Sequence, residues 1–326
     1  MKRKQAEGNP RLVYSNAMPD LYAQAVTLEL TTGQRVVAYS HVSATDEHLP
    51  NRLLLHGNPG SLRDWTRLYA PLSSAAHVTA IDLPGFGHSP RPAASSKRAL
   101  ELDALADDVA ATLDALGWRE PCYLVGYSHG GGIAQAVAAR HPQRVAGVVA
   151  VGTLGYPAHR SYRLLGWRPW GFSVAHAVAR LATAVFGRAA LRGISRRIVR
   201  WVMRDIYSPE TVDDAQVTAE LEGLRSAPTI LQSMVDVTLG APSACLLKYA
   251  TKIFCPVLFV HGERDALVPV RYARALHAAI LAGGGNATFL TIQSAGHMLI
   301  EFQVERVTQA ITAFIQSTQA SLEGHS

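Results

Sequence analysis

The sequence predicts an α/β fold: a mostly parallel, twisted sheet with helices on both faces and one helical insertion. Three observations predict it. Short apolar runs of strand length alternate with stretches whose apolar residues recur at helical spacing. Several of those runs end in glycine-rich turns. Between 155 and 244 the alternation stops, and the sequence is mostly helix-like with no clear strand.

Taken in order, residues 1–22 are polar and punctuated by Pro10 and Pro19, which predicts an N-terminal arm. Strand-like runs at 25–30 and 35–41 are joined by Thr31-Thr32-Gly33-Gln34, a hairpin signal that adds an antiparallel edge. Runs at 52–56 and 77–83 end in Gly57-Asn58-Pro59-Gly60 and Pro84-Gly85-Phe86-Gly87. Leu102, Leu105, Ala106, Val109, Leu113 and Leu116 mark a helix that Gly117 closes. A strand at 121–126, a helix at 129–140 and a strand at 145–151 follow. After the insertion come a strand at 257–262, a helix at 271–281, a strand at 287–292 and a helix at 301–316. Such alternation argues for right-handed βαβ units. The predicted organisation is an arm (1–22), a first core part (23–154), a helical lid or cap (155–244) and a second core part (245–326).

Composition narrows the function classes. Hydrophobic residues make up 48% of the 326 and charged residues 17%, which suits a globular protein with a large core. The apolar stretches are short and interrupted, well below the roughly 20 residues that span a bilayer. The basic N-terminus has no apolar run after it, so export by a secretory signal is not expected. Cys122, Cys245 and Cys255 are odd in number and widely spaced, which disfavours a disulfide framework or a zinc site and fits a cytoplasmic protein. Cys122 and Cys255 read as small core residues. A net charge of +6 raises nucleic-acid binding, but no stacking motif or helix-turn-helix supports it. No cofactor and no metal is called for.

The chemistry concentrates at Gly126-Tyr127-Ser128-His129-Gly130, which sits between a predicted strand and a predicted helix. A Gly-x-Ser-x-Gly motif needs that context. The serine occupies the tip of a sharp turn, and the positions two before and two after approach neighbouring backbone too closely for a side chain. Gly131 and Gly132 extend the small surface. The helix start beneath the hydroxyl favours developing negative charge.

Three further segments agree with this nucleophile. Asp265 follows the strand at 257–260, at the end of the sheet where catalytic groups gather. His297 follows the last strand in Ser294-Ala295-Gly296-His297, with small neighbours. The loop His56-Gly57-Asn58-Pro59-Gly60 can offer a backbone N–H beside that of His129. Each residue also has a plainer reading. Ser128, Asp265 and His297 could be a turn serine, a surface carboxylate and a core histidine. Glu263 is the nearest substitute for Asp265. His56 and His261 read as local hydrogen-bonding residues, and His88 as a turn residue.

With these segments in order, the chain resembles the α/β-hydrolase superfamily from about Ala25 onward. Asp82-Leu83-Pro84-Gly85-Phe86-Gly87-His88-Ser89 and Asp265-Ala266-Leu267-Val268-Pro269 match the family as well. It is most similar to the lid-bearing branch with a His-Gly-x-Pro-Gly oxyanion loop. The resemblance implies that Ser128 is the nucleophile, His297 the general base and Asp265 the residue that orients it, with Asn58 and His129 N–H groups as the oxyanion hole. It implies a serine hydrolase acting on a carboxylic ester, thioester or lactone. Gly57, Tyr127, Trp167, Trp170 and Met298 are the expected pocket residues. Asn58 matches a halide-binding position of the dehalogenases, but their nucleophile is Asp; a serine alkyl ether would be a dead end. Ser128-His129-Gly130-Gly131 is similar to a run in cofactor-independent dioxygenases, so dioxygenase, lyase, C–C hydrolase and non-catalytic receptor readings stay open.

The insertion is unusual in charge. Ten arginines, from Arg160 to Arg204, precede the first acid at Asp205, with Trp167, Trp170, Phe172 and Trp201 among them. One reading is a lid that draws an anionic or lipid-like substrate or touches a membrane surface. The plainer reading is a solvated helical face whose aromatics pack on the core.

Overall fold

The computed structural model describes residues 21–41, 49–74, 76–92, 100–154, 195–226, 230–240 and 246–323, together with isolated residues between 181 and 193. Eight strands form one sheet: β1 (Val26–Glu29), β2 (Arg35–His41), β3 (Asn51–Leu55), β4 (His77–Asp82), β5 (Cys122–Tyr127), β6 (Val145–Val151), β7 (Val257–Gly262) and β8 (Ala287–Ile292). Their order is β1-β2-β4-β3-β5-β6-β7-β8. The pairs β1–β2 and β2–β4 are antiparallel and all others parallel, so the expected hairpin does form the antiparallel edge.

Alternation along each strand builds two cores, because successive side chains point to opposite faces. Leu53, Leu55, Leu124, Val148, Ala150, Val257 and Phe259 face one side. There they meet α2 (Leu102–Ala115), α3 (His129–Arg140) and α8 (Val270–Ala282). Leu54, Tyr123, Val125, Val149, Val151, Leu258 and Val260 face the other, against α1 (Thr66–Ser73) and α10 (Val304–Glu323). The central parallel strands are therefore apolar on both faces, as buried parallel strands must be. Phe259 is fully buried and stacked on Phe289; truncating such a ring to alanine typically costs about 3–5 kcal/mol.

Among the described residues, three helices lie in the insertion: α4 (Arg196–Tyr207), α5 (Asp214–Ser226) and α6 (Ile230–Gly240). Val199, Met203, Val217, Leu221, Leu224, Ile230 and Val237 join the first core, so these helices pack on the sheet domain. A polar clasp adds to this. Ser233 Oγ donates to the Gly85 carbonyl at 2.7 Å, and Arg91 reaches both Ser233 and Asp236.

The structure differs from the sequence expectation in four places. The end of the predicted arm is built into the fold: Leu21 is buried and the Tyr22 hydroxyl donates to Asp82. The turn Leu62–Trp65 and α1, which carries Pro71 inside it, lie between β3 and β4, in a stretch to which the sequence pattern assigns no element. The helix expected at 301–316 is two helices, α9 (Leu299–Phe302) and α10, which runs on to Glu323. A single turn, α7 (Leu247–Ala250), leads into β7. Among the described residues no helix is long and apolar enough to cross a membrane, and no cluster of His, Cys, Asp or Glu could hold a metal. Cys122 is buried and Cys255 half-buried, both as free thiols, while Cys245 lies outside the described residues.

Candidate active site

The turn between β5 and α3 is set by sterics. Ser128 has φ 51° and ψ −111°, a left-handed conformation that L side chains avoid. Holding a non-glycine residue there costs about 1–3 kcal/mol. The surroundings over-determine it. A Cβ on Gly126 would stand 2.2 Å from the Gly130 carbonyl oxygen, and one on Gly130 would stand 2.1 Å from the Leu55 carbonyl oxygen. Both motif glycines are thus required by backbone approach. Ser128 N–H donates to Val151 and its carbonyl accepts from Leu154 N–H, tying the turn to the exit of β6.

Ser128, His297 and Asp265 come together, each at most 5% exposed. Ser128 Oγ lies 3.1 Å from His297 Nε2, and His297 Nδ1 lies 2.7 Å from Asp265 Oδ2. Asp265 Oδ1 accepts from the Leu267 and Val268 N–H groups at 3.0 and 2.7 Å. His261 Nε2 stands 3.3 Å from Asp265 Oδ2. Burial alone would raise the Asp265 pKa; the His297 charge and hydrogen bonds from His261 and His297 outweigh it and hold the carboxyl below the usual range. Glu263, the alternative acid, is exposed and braces the Ser294 N–H at 3.0 Å instead.

The loop expected to supply an oxyanion donor begins beside Ser128. A Cβ on Gly57 would touch Tyr127 at 3.2 Å and Ser128 Cβ at 3.4 Å, so Gly57 passes directly over the turn. His56 anchors the loop. Its Nδ1–H donates to the Gly57 carbonyl at 2.7 Å and its Nε2 accepts from Leu83 N–H at 2.9 Å. Burial pushes its pKa down to about 3, so the ring stays neutral. His129 opens α3, which leaves its N–H among the first-turn groups that lack a helical acceptor. Its ring is buried and its pKa is pushed down to about 4 by desolvation.

The expected pocket residues divide. Gly57 and Met298 border the triad. Tyr127 is a buried core residue whose hydroxyl donates to the His297 carbonyl at 3.3 Å, so it braces the histidine from behind. Trp167 and Trp170 lie outside the described residues. His88 stacks on Tyr22 at 3.9 Å and is a turn residue, as expected.

Three contributors escape sequence reasoning. Asp64 lies under the Gly57–Gly60 loop: its carboxyl accepts from Ser61 N–H, and a Cβ on Gly60 would strike it at 2.4 Å. Desolvation pushes its pKa up to about 8. Gly152, at the end of β6, lets the backbone pass the His297 ring, with a Cβ there at 3.5 Å. Gly296, next to His297, meets the insertion: its Cβ would lie 1.8 Å from the Ser208 carbonyl oxygen. The only signal for the last two is a glycine after a strand, which fits many turns.

Residues 53–304 match the profile of the alpha/beta hydrolase fold. The dihydrolipoyllysine-residue acetyltransferase component of the acetoin cleaving system of Pseudomonas putida is 28% identical over 264 residues. That match covers 81% of this chain but only 63% of that protein, so the chain spans less than two thirds of its length. The 2-hydroxymuconate semialdehyde hydrolase of Pseudomonas sp. strain CF600 is 35% identical over 225 residues, 67% of this chain and 71% of the relative. The pimeloyl-[acyl-carrier protein] methyl ester esterase of Aeromonas hydrophila is 28% identical, covering 68% and 79%.

Proposed function

We propose that this chain, which belongs to the alpha/beta hydrolase fold family, is a serine hydrolase that cleaves a small to medium carboxylic ester, thioester or lactone. The observation that carries the reading is the unbroken hydrogen-bond chain from Ser128 through His297 to Asp265, at 3.1 and 2.7 Å.

In this reading Ser128 Oγ attacks the acyl carbon while His297 Nε2 takes its proton. Asp265 accepts from Nδ1–H, keeping Nε2 free as the base and stabilising the imidazolium. The N–H groups of Asn58 and His129 bind the oxyanion; one such donor is typically worth about 3–4 kcal/mol in the transition state. His297 then protonates the leaving group, and water releases the acid from Ser128 by the same route in reverse. Residues 155–244 act as the cap over this site, with Ser208 pressed against the His297 loop. The methyl ester esterase among the relatives supports the ester substrate.

A second reading has its own support. The 35% identity to a semialdehyde hydrolase favours cleavage of a C–C bond next to a carbonyl by the same triad.

A p-nitrophenyl ester series from acetate to palmitate, run on the wild type and on Ser128→Ala, tests the proposal. Turnover that vanishes in the variant is expected, and its chain-length optimum sizes the pocket. An inactive wild type across the series, with turnover of a vinylogous diketone instead, transfers the assignment to C–C hydrolysis. Turnover that needs oxygen overturns both.

A further inference from the structure

The exposed apolar side chains are not scattered along the sequence. Ten large hydrophobics stand exposed among the described residues, and six of them are Leu181, Val185, Phe186, Ile198, Trp201 and Val202. Helix α4 shows how the face is made. Val199 and Met203 turn inward, at 3% exposure each, and join the core. Ile198, Trp201 and Val202 turn outward on the opposite side at 51%, 68% and 46%. Arg196, Arg200 and Arg204 follow one another at i, i+4 along the flank, and Arg197 sits beside Trp201 at helical spacing. From residue 181 to 204 the chain carries six arginines and no acidic residue. The nearest acids are Asp205, on the same helix, and Asp214, which pairs with Arg196 and Arg200.

We propose that this face docks on the surface of a phospholipid bilayer that carries anionic headgroups. The apolar stripe with an exposed tryptophan suits the headgroup–acyl boundary, where an indole ring keeps one end wet. The arginine flank supplies the attraction to anionic lipid. Charge selects this occupant over a second copy of the chain, because face-to-face association would bring two arginine flanks together. The helix ends at Tyr207, one residue before the Ser208 carbonyl that presses on Gly296 beside His297, so docking places the bilayer one helix length from the candidate site. The inference does not depend on which bond the enzyme cleaves, since its readout is binding.

The test is co-sedimentation of the full chain with vesicles of phosphatidylcholine alone and of phosphatidylcholine mixed with phosphatidylglycerol. Wild type is expected to pellet with the mixed vesicles, less so at high salt, where exposed charges are screened. The triple variant Ile198→Ser, Trp201→Ser, Val202→Ser should bind at least about tenfold more weakly with an unchanged circular dichroism spectrum. Arg197→Glu, a single exposed substitution that keeps the apolar stripe, should weaken binding several-fold and guards against misfolding of the triple variant. Equal binding by wild type and Arg197→Glu, or no preference for the anionic vesicles, overturns the proposal. So does self-association of the wild type that the triple variant abolishes, which would make the face a contact between copies.

Discussion

Replacing Asp265 by asparagine preserves shape and removes one charge, and the surroundings dictate the outcome. Asp265 Oδ1 receives two backbone N–H groups, from Leu267 and Val268, at 3.0 and 2.7 Å. An amide must therefore keep its oxygen on that side, because an NH2 group there would face two donors. Its NH2 group is left facing His297 Nδ1, which lies 2.7 Å from the other oxygen. The imidazole then accepts at Nδ1 and carries its proton on Nε2, where it can no longer take one from Ser128. The expected loss is about 10⁴-fold in kcat, on the order of 5 kcal/mol of transition-state stabilisation. Steady-state and burst kinetics with a p-nitrophenyl ester measure it, with circular dichroism as the control for folding. Glu263→Gln, on an exposed brace, should stay within about twofold of the wild type. An Asp265→Asn enzyme within tenfold of the wild type would refute the reasoning.

The same substitution has a pH signature in stability. The Asp265 pKa is depressed in the folded protein, so its contribution is complete above the ordinary carboxylate range, about 4, and is lost as pH falls through the lower folded value. The stability gap between the wild type and Asp265→Asn in urea should be widest near neutrality and narrow in acid; a gap independent of pH contradicts this. Asp64 has the opposite sign. Its pKa is pushed up to about 8, so the folded protein holds that proton more tightly than the unfolded chain and loses stability as pH rises from about 4 to 8. Asp64→Asn should flatten that decline, as chemical denaturation across the range will register. Gly126→Ala places a Cβ 2.2 Å from backbone oxygen and displaces the Ser128 turn, so kcat should fall at least about 100-fold; activity within threefold of the wild type would mean the turn tolerates the methyl. Arg91→Ala removes one partner of half-buried Asp236 and one strand of the clasp on α6. Limited proteolysis should then cut 230–240 faster while the sheet domain keeps its thermal midpoint, and equal cutting rates would count against the clasp.

Legibility in the sequence follows the range of the forces involved. The Ser128 turn could be read because its motif is contiguous in the chain and Gly126 answers to the Gly130 backbone four residues on, although Gly130 itself answers to Leu55 on the neighbouring strand. Asp265 and His297 could be read because each follows a strand, and strand ends converge on one edge of a parallel sheet. The strand runs were legible for the same local reason, an apolar stretch between turns. What was hidden depends on distant partners. Nothing near Asp64 says that its carboxyl will lie beneath the Gly57–Gly60 loop, and nothing near Gly296 announces the Ser208 carbonyl, 88 positions earlier in the chain. Helix α1 was missed because Pro71 masks its periodicity, although Leu68, Tyr69 and Leu72 bury it against the sheet. Tyr127 looked like a pocket residue from its place beside the nucleophile; the strand's alternation turns its ring into the core.

A serine hydrolase needs Ser128 to be an activated nucleophile. The most direct test is to treat the native chain with a fluorophosphonate and map the modified peptide by mass spectrometry. A single adduct is expected, on Ser128, forming rapidly in the wild type and much more slowly in His297→Ala. No adduct on the wild type, or equal labelling with and without His297, would contradict it.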